Sequence, residues 1–422
     1  MRRRPLLFAF LTFLLLVVLA AAVMWRLLTP SLGRPLDIRP EIRQLQFASR
    51  PSPDTPDGWD ALVACLVELH LASITTADDP PDDLPDFGRL YAPDVEVDEW
   101  ESLTNQVRHL SSAALFHLLL ETDDQATEKE INHAREAFAA LHTPRFTALL
   151  DDLGAQSWMA ATLMPDDATV LLPYLSDVRS LGLVLRAMIN EAWMEDNLDT
   201  VRRCVRAHAA LARLMMTQST LVEHGVGISL ASELINRLEA LDGEYGVPPE
   251  WATPLSDDLG PLDDLLTWHH CLEFDRLYVL YAISCSYSGT RGGNGRYLPV
   301  QAAHLGEGRE PPEPYTINDR FEDIDGFKAP SRRELERLVN QYHDDIEALP
   351  DATPDAIVAI QARTIARLND LAPNHGDLHF AGYGSFSGCF SQPVGKLEER
   401  LSELQHARDA LKSRLGAPQS QQ

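Results

Sequence analysis

Apolar residues recur at three- and four-residue intervals over much of the chain, most regularly between Tyr174 and Leu241. Leu175, Val178, Leu181, Leu185, Met188 and Ala192 trace one face of a helix. Leu198, Val201, Val205, Ala212 and Met215 trace a second, and Leu221, Gly225, Ile228, Leu234, Leu238 and Leu241 a third. Short polar residues interrupt the pattern at Asp196 and Asn197 and again at Gln218, Ser219 and Thr220, where a side chain can cap the next helix. Helices joined this tightly reverse direction and pack antiparallel, as in a bundle or a helical repeat.

The same periodicity carries the rest of the chain. It predicts a helix from near Gly58 to about Thr75, with Leu62, Cys65, Leu66, Leu69 and Ile74 on its apolar side. Asp98 with Glu101, Thr127 with Glu130 and Ser331 with Glu334 have the spacing of capping boxes, each followed by a helical pattern. Pro144 breaks the chain before a shorter helical piece, 145–153, and Thr353 with Pro354 opens a helix to Leu371. After Leu241, residues 243–260 read as a turn-rich connector, and Pro261 as the first turn of a helix to about Tyr287 that is apolar nearly all round. Residues 288–330 and 372–395 read as long irregular loops. The last helix, 396–415, holds Leu397, Leu401, Leu404, Leu411 and Leu415 at heptad spacing, with Arg408 spoiling the seam, so it either docks on the body or forms a short coiled coil. No alternating strand pattern stands out. The fold class is all-α: an antiparallel helical-hairpin array, solenoid-like or bundled, in a domain spanning 57–395.

The N-terminus differs from everything after it. Arg2, Arg3 and Arg4 precede an apolar run over 6–28 broken only by Thr12 and Arg26. Roughly 20 apolar residues span a bilayer core, and the arginines place residues 1–5 in the cytoplasm and the remainder outside it. Ala20, Ala21 and Ala22 also suit a signal-peptide cleavage site, but the apolar run continues past them, which favours an uncleaved anchor. Residues 29–56 carry six prolines and read as a stalk or an extended segment lying on the domain. Residues 416–422 read as a disordered tail.

Charge and cysteine usage narrow the function classes. With 63 acidic and 36 basic residues and a net charge of −27, the chain is unsuited to nucleic acid, whose phosphates require a basic surface. The five cysteines are widely spaced; Cys271 and Cys285 lie roughly 21 Å apart on one helix and cannot pair within it. No disulfide framework is implied, although one bridge among the others stays open.

Candidate chemistry is sparse. His269, Glu273 and Arg276 fall on one arc of the 261–287 helix. If that arc faces inward, the Glu273–Arg276 charges must pair, and a buried pair beside a histidine is either a structural network or a catalytic site. His269, His270 and Glu273 offer metal-ligand types, but no second cluster completes a coordination sphere, so no metal or other cofactor is expected. Asn374, His375, Gly376, Asp377, Leu378 and His379 look like the catalytic loop of aminoglycoside-phosphotransferase-type kinases. Gly382 stands where that family's metal-binding asparagine belongs, and the surrounding kinase elements are missing. The glycine-rich run 289–295 lacks the lysine of a phosphate loop, and 323–326 has Phe321 and Arg332 where a calcium loop needs ligands. Arg202, Arg203, Arg206 and Arg213, with Arg179 and Arg186 on the preceding helix, form a basic stripe that either meets an acidic partner or pairs within the chain.

Several of these features together resemble a family of planctomycete single-anchor helical proteins: the basic start and anchor, and Asp57, Gly58, Trp59, Asp60 and Ala61 opening the first helix. The break at Asp196, Asn197, Leu198 and Asp199, Thr220 to His224 heading the next helix, and the long helix with Glu273 and Arg276 complete the likeness, which covers about half the chain. The resemblance implies a membrane-tethered α-helical protein and brings no activity or site residue with it. Two readings follow: an interaction or scaffold module binding an envelope protein or polymer, or an enzyme centred on His269, Glu273 and Arg276. The oligomeric state is left open.

Overall fold

The computed structural model describes residues 36–77, 86–92, 127–160, 174–263, 269–287, 330–349, 353–371 and 394–416, with positions 84, 103, 172 and 297 and the pairs 379–380 and 384–385. The expected anchor over 6–28, the helix after Asp98, the loops 289–295 and 323–326, the phosphotransferase-like loop up to Leu378 and Cys389 lie outside those residues.

The described residues are all-α. In order they form α1 (Arg39–Ala48), α2 (Trp59–Thr75), a 3-10 turn (Phe87–Tyr91), α3 (Glu128–Ala140), α4 (Pro144–Gly154), α5 (Leu175–Met194), α6 (Leu198–Met216) and α7 (Leu221–Tyr245). Then follow α8 (Pro249–Asp258), a 3-10 turn (Gly260–Leu262), α9 (His269–Cys285), α10 (Arg332–Glu347), α11 (Pro354–Leu371) and α12 (Val394–Gly416). The extended structure among them is a two-residue antiparallel pair, β1 (His379–Phe380) with β2 (Gly384–Ser385), and a Tyr287–Tyr297 bridge. No described helix is long and apolar enough to cross a membrane. Two compact units result, one of 1–38, 166–169 and 276–393, the other of 39–165, 170–275 and 394–422, so the expected 57–395 domain is shared between them.

In the larger unit α6 is the central helix, with α5, α7, α4 and α8 packed around it. Its alanine-rich sides explain why: Ala207, Ala209, Ala210 and Ala212 are fully buried, and small side chains let neighbouring helices come close. At Gly227 of α7 the backbones themselves come close, so that a Cβ would lie 2.7 Å from the Ala212 carbonyl oxygen. At Gly182 of α5 a Cβ would meet the Leu230 side chain at 2.5 Å. The breaks fall where the polar residues stand. Asp196 takes a left-handed φ of 54°, Asn197 caps α6 through Thr200 N, and Thr220 forms a capping box with Glu223 at the start of α7. Reciprocal boxes also open α3 (Thr127, Glu130) and α10 (Ser331, Glu334).

Two stretches depart from the sequence expectation. The stalk contains α1, because Pro40 falls in a first turn, where its missing N–H is no loss, and Ile42 and Gln46 are buried. The connector contains α8 for the same reason: Pro249 is in the first turn, and Trp251 and Leu255 are buried behind it. Pro261 sits in the 3-10 turn, and the described part of the following helix starts at His269. The C-terminal helix docks on α7 and α8 through Leu397, Leu401, Leu404, Leu411 and Leu415, and Arg408 Nη1 donates to the Leu262 and Asp263 carbonyls.

The smaller unit is built around α10 and α11, with Leu335, Val339, Tyr342 and Ile346 buried on one helix and Ile357, Ile360 and Leu368 on the other. Tyr287 closes its other end by donating to the Pro330 carbonyl at 2.9 Å.

Candidate functional site

The three residues expected to share one arc of the helix, now α9, differ in exposure. His269 is exposed, and Glu273 and Arg276 are half-buried. The division between units falls between Asp275 and Arg276, which puts His269 and Glu273 in the larger unit and Arg276 in the smaller. There Arg276 Nη1 donates to Asn340 Oδ1 at 3.3 Å, and its charge adds to the burial that pushes His343 down to about 3. The helix is apolar on several sides, so shared position on an arc did not determine which way the arc faces.

The arginine stripe, weighed as a partner-binding patch, is largely consumed inside the larger unit. Arg202 Nε and Arg206 Nη2 converge on Asp258 at 2.7 and 2.5 Å, and Arg203 Nε meets Asp151 at 2.8 Å. Arg213 Nη1 donates to the Pro261 carbonyl at 3.0 Å, and the buried Arg186 faces Glu233 at 3.3 Å. Arg179 is exposed. The pairing has a simple cause: α4 and α8, packed on α6, present Asp151 and Asp258 to its arginine rows, and long guanidinium stems reach them without leaving the helix surface.

The larger unit instead buries polar clusters that sequence spacing did not expose. At the start of α7, Glu223 is wholly buried, and its carboxyl lies against the hydroxyl of Tyr174, the residue before α5, and 2.6 Å from the Thr220 hydroxyl. Burial pushes this carboxyl up to about 8, opposed by the hydrogen bond from the Thr220 amide. Burial likewise raises the nearby Cys271 thiol, with Glu223 and Asp275 adding to it. One turn along α5, Asp177 Oδ2 accepts from Tyr91 OH at 2.9 Å and lies 3.4 Å from His70 Nε2, while His70 and Tyr91 are 2.7 Å apart. Trp59 sits edge-on to both Tyr174, at 5.2 Å, and Tyr91, at 6.4 Å. Between α5 and α7 the buried His208 is pushed down to about 3 by desolvation, with Arg186 adding to it. The sequence held one usable sign, the Thr220 and Glu223 box spacing; the remaining partners come from chain positions too distant for any local pattern to join.

Chemically, one cluster joins the raised Glu223 carboxyl to a phenol and a hydroxyl, and the other joins the Asp177 carboxyl to a phenol and an imidazole. A protonated Glu223 can hold or release a proton, but it is closed in by helices rather than set in a cleft. The grooves described in the molecule lie elsewhere. One runs between α7 and α12, lined by Ser229, Ser232, Asn236, Arg400, Glu403 and Leu404; the other lies on α10 and α11 beside Arg337 and Arg367. Cys65, Cys204, Cys271 and Cys285 are buried thiols outside any disulfide, and burial raises Cys65 and Cys204 to about 12, far from a reactive thiolate. Among the described residues no three His, Cys, Asp or Glu side chains are placed to hold a metal ion. No family model, curated protein or solved structure matches the chain.

Proposed function

We propose that the chain is a membrane-tethered, extracytoplasmic helical protein that acts as an interaction or scaffold module in the cell envelope, binding an envelope protein or polymer. The anchoring part rests on the arginines at 2–4 and the apolar run over 6–28. The observation that carries the interaction part is the mutual use of polar groups within the larger unit. Tyr174 with Glu223, Tyr91 with Asp177, and Arg202 and Arg206 with Asp258 satisfy one another. What remains for a partner is a shaped, acidic helical surface, including the mixed polar groove between α7 and α12. The similarity to planctomycete single-anchor proteins points the same way and adds no reaction.

The alternative, an enzyme centred on His269, Glu273 and Arg276, gains nothing from their placement, since His269 is exposed and Arg276 is bonded to Asn340. Two measurements test the proposal. Protease added outside intact spheroplasts should degrade α5 to α7 of the full-length chain; protection would overturn the topology. Crosslinking from a photoreactive residue at Ser232, in the groove, should yield a discrete adduct with an envelope protein or polymer. An adduct pattern no different from that of a probe on the exposed far end of α3 would remove the groove as the binding surface.

A further inference from the structure

The turn between α6 and α7 is built around an acid. Glu223 Oε2 accepts from Thr220 N at 3.3 Å and from Thr220 Oγ1 at 2.6 Å, and the Tyr174 hydroxyl donates to Oε1. The titratable groups around it are Tyr174 just before α5, Cys271 from α9 with Asp275 beyond it, and His224, the next residue of α7, whose Nδ1 lies 3.2 Å from the Met216 carbonyl. The turn itself contributes Thr217, Gln218 and Ser219, all uncharged and buried, and α2 contributes the uncharged Trp59 beside Tyr174. Every group bonded to Glu223 is neutral. A carboxylate there is desolvated with no counter-charge to offset it.

The same turn fastens the first described segment of the larger unit. Ser49 Oγ shares its one proton between the Gln46 carbonyl at 2.8 Å and the Thr217 carbonyl at 3.2 Å, and accepts from Trp158 Nε1 at 3.0 Å. Phe47 and the Arg50 guanidinium lie against the Trp158 ring at 5.8 and 5.0 Å, and Gln218 Nε2 donates to the Met159 carbonyl at 3.0 Å. Residues 39–50 are therefore strapped to the residues that Glu223 caps.

We propose that Tyr174, Thr220 and Glu223 form a proton-operated latch. With the carboxyl neutral, its own proton points to the Thr220 hydroxyl oxygen, which rotates to accept it, and the turn is closed and holds the 39–50 strap; when the carboxyl gives that proton to solvent, the turn opens and the strap is released. Burial sets the range, because it lifts the carboxyl from 4.5 to about 8. A group raised in the closed state favours closure fully below its open-state value. Closure therefore weakens as pH rises from about 4.5, and the loss is complete above about 8. The inference does not depend on where the chain resides or what it binds.

Hydrogen exchange of the full-length chain, with each rate divided by the unprotected rate at that pH, reads the latch directly. Peptides covering 41–50 and 217–226 should open together, about tenfold more per pH unit between pH 6 and pH 8, while a peptide from α10 stays constant. Glu223→Gln, which keeps the cap and removes the charge, should hold both peptides closed across that range. Tyr174→Phe removes a donor to the carboxylate, so its opening should keep rising past pH 8 where the parent levels off. The latch is overturned if Glu223→Gln shows the parent's pH dependence, or if the strap and the turn open independently. Should Glu223→Gln fail to fold, a Tyr174→Phe profile identical to the parent's is enough to reject it.

Discussion

Asp258 ends α8 with its side chain 2% exposed and two guanidiniums on it, from Arg202 and Arg206. Glu223 opens α7, wholly buried, with a phenol, a hydroxyl and an amide in reach. Both acids pack near α6, and they differ in what the neighbouring sequence can bring to them. Asp258 lies at the rim, where long arginine stems from one helix row arrive while their heads stay partly in water. Glu223 lies at a junction of α5, α6 and α7 among apolar and neutral side chains. At the rim a charge is balanced by opposite charges; inside, it is avoided by keeping the proton. The lesson for an acidic chain is that its surplus of carboxylates belongs on the surface, and each one taken inward needs one of these two treatments.

The sharpest way to break the comparison is to remove the rim solution. Arg202→Met with Arg206→Met leaves Asp258 buried without a counter-charge, and the expected loss is about 3 kcal/mol, read as a lower urea midpoint at unchanged slope. A loss below about 1 kcal/mol would mean that the guanidiniums are worth no more than surface pairs. Next comes Thr220→Ala, which strips a buried capping box of its hydroxyl and should cost about 2 kcal/mol. Thr143→Ala, at the N-cap of α4, removes a similar bond to Phe146 N in a less buried setting and should cost about 1 kcal/mol. Equal losses at the two sites would deny the burial argument.

On the acid side His208 supplies the opposite slope. Its folded value is pushed below the ordinary 6.5 to about 3, so its contribution is fully present above pH 6.5 and is lost as pH falls through that window. The slope reaches about 1.4 kcal/mol per pH unit at most. His208→Phe should flatten the acid limb of stability against pH; an unchanged limb would assign that sensitivity elsewhere. Smallest of all, Arg203→Ala, whose pair with Asp151 is part-exposed on both sides, should change stability by less than about 0.5 kcal/mol in a thermal melt.

Where a single short segment decided the structure, the sequence was enough. Asn197, Thr127 with Glu130 and Ser331 with Glu334 mark the helix starts at which they stand, because a cap bonds within three residues. Proline misled in the opposite direction: Pro40 and Pro249 suggested stalk and connector, yet each occupies a first turn and leaves the helix after it intact. The buried clusters were out of reach for a different reason. Tyr174 and Glu223 are 49 residues apart and Tyr91 and Asp177 are 86 apart, so their pairing is a product of packing. The spacing of His269, Glu273 and Arg276 does not say which way that side of the helix faces, and in the packed structure His269 is on the water side. Likewise the stripe of arginines is visible in the sequence, and the acids of α4 and α8 that meet Arg202, Arg203 and Arg206 are not.

The contrast between a charge-matched rim acid and a proton-bearing core acid rests on the state of one carboxyl. Carboxyl-carbon NMR of the folded chain, with the Glu223 signal assigned by its absence in Glu223→Gln, measures that state directly. The account predicts a titration midpoint near about 8, with the neutral form dominant at pH 7. A midpoint in the ordinary carboxylate range would contradict it, and the latch built on it would fall with it.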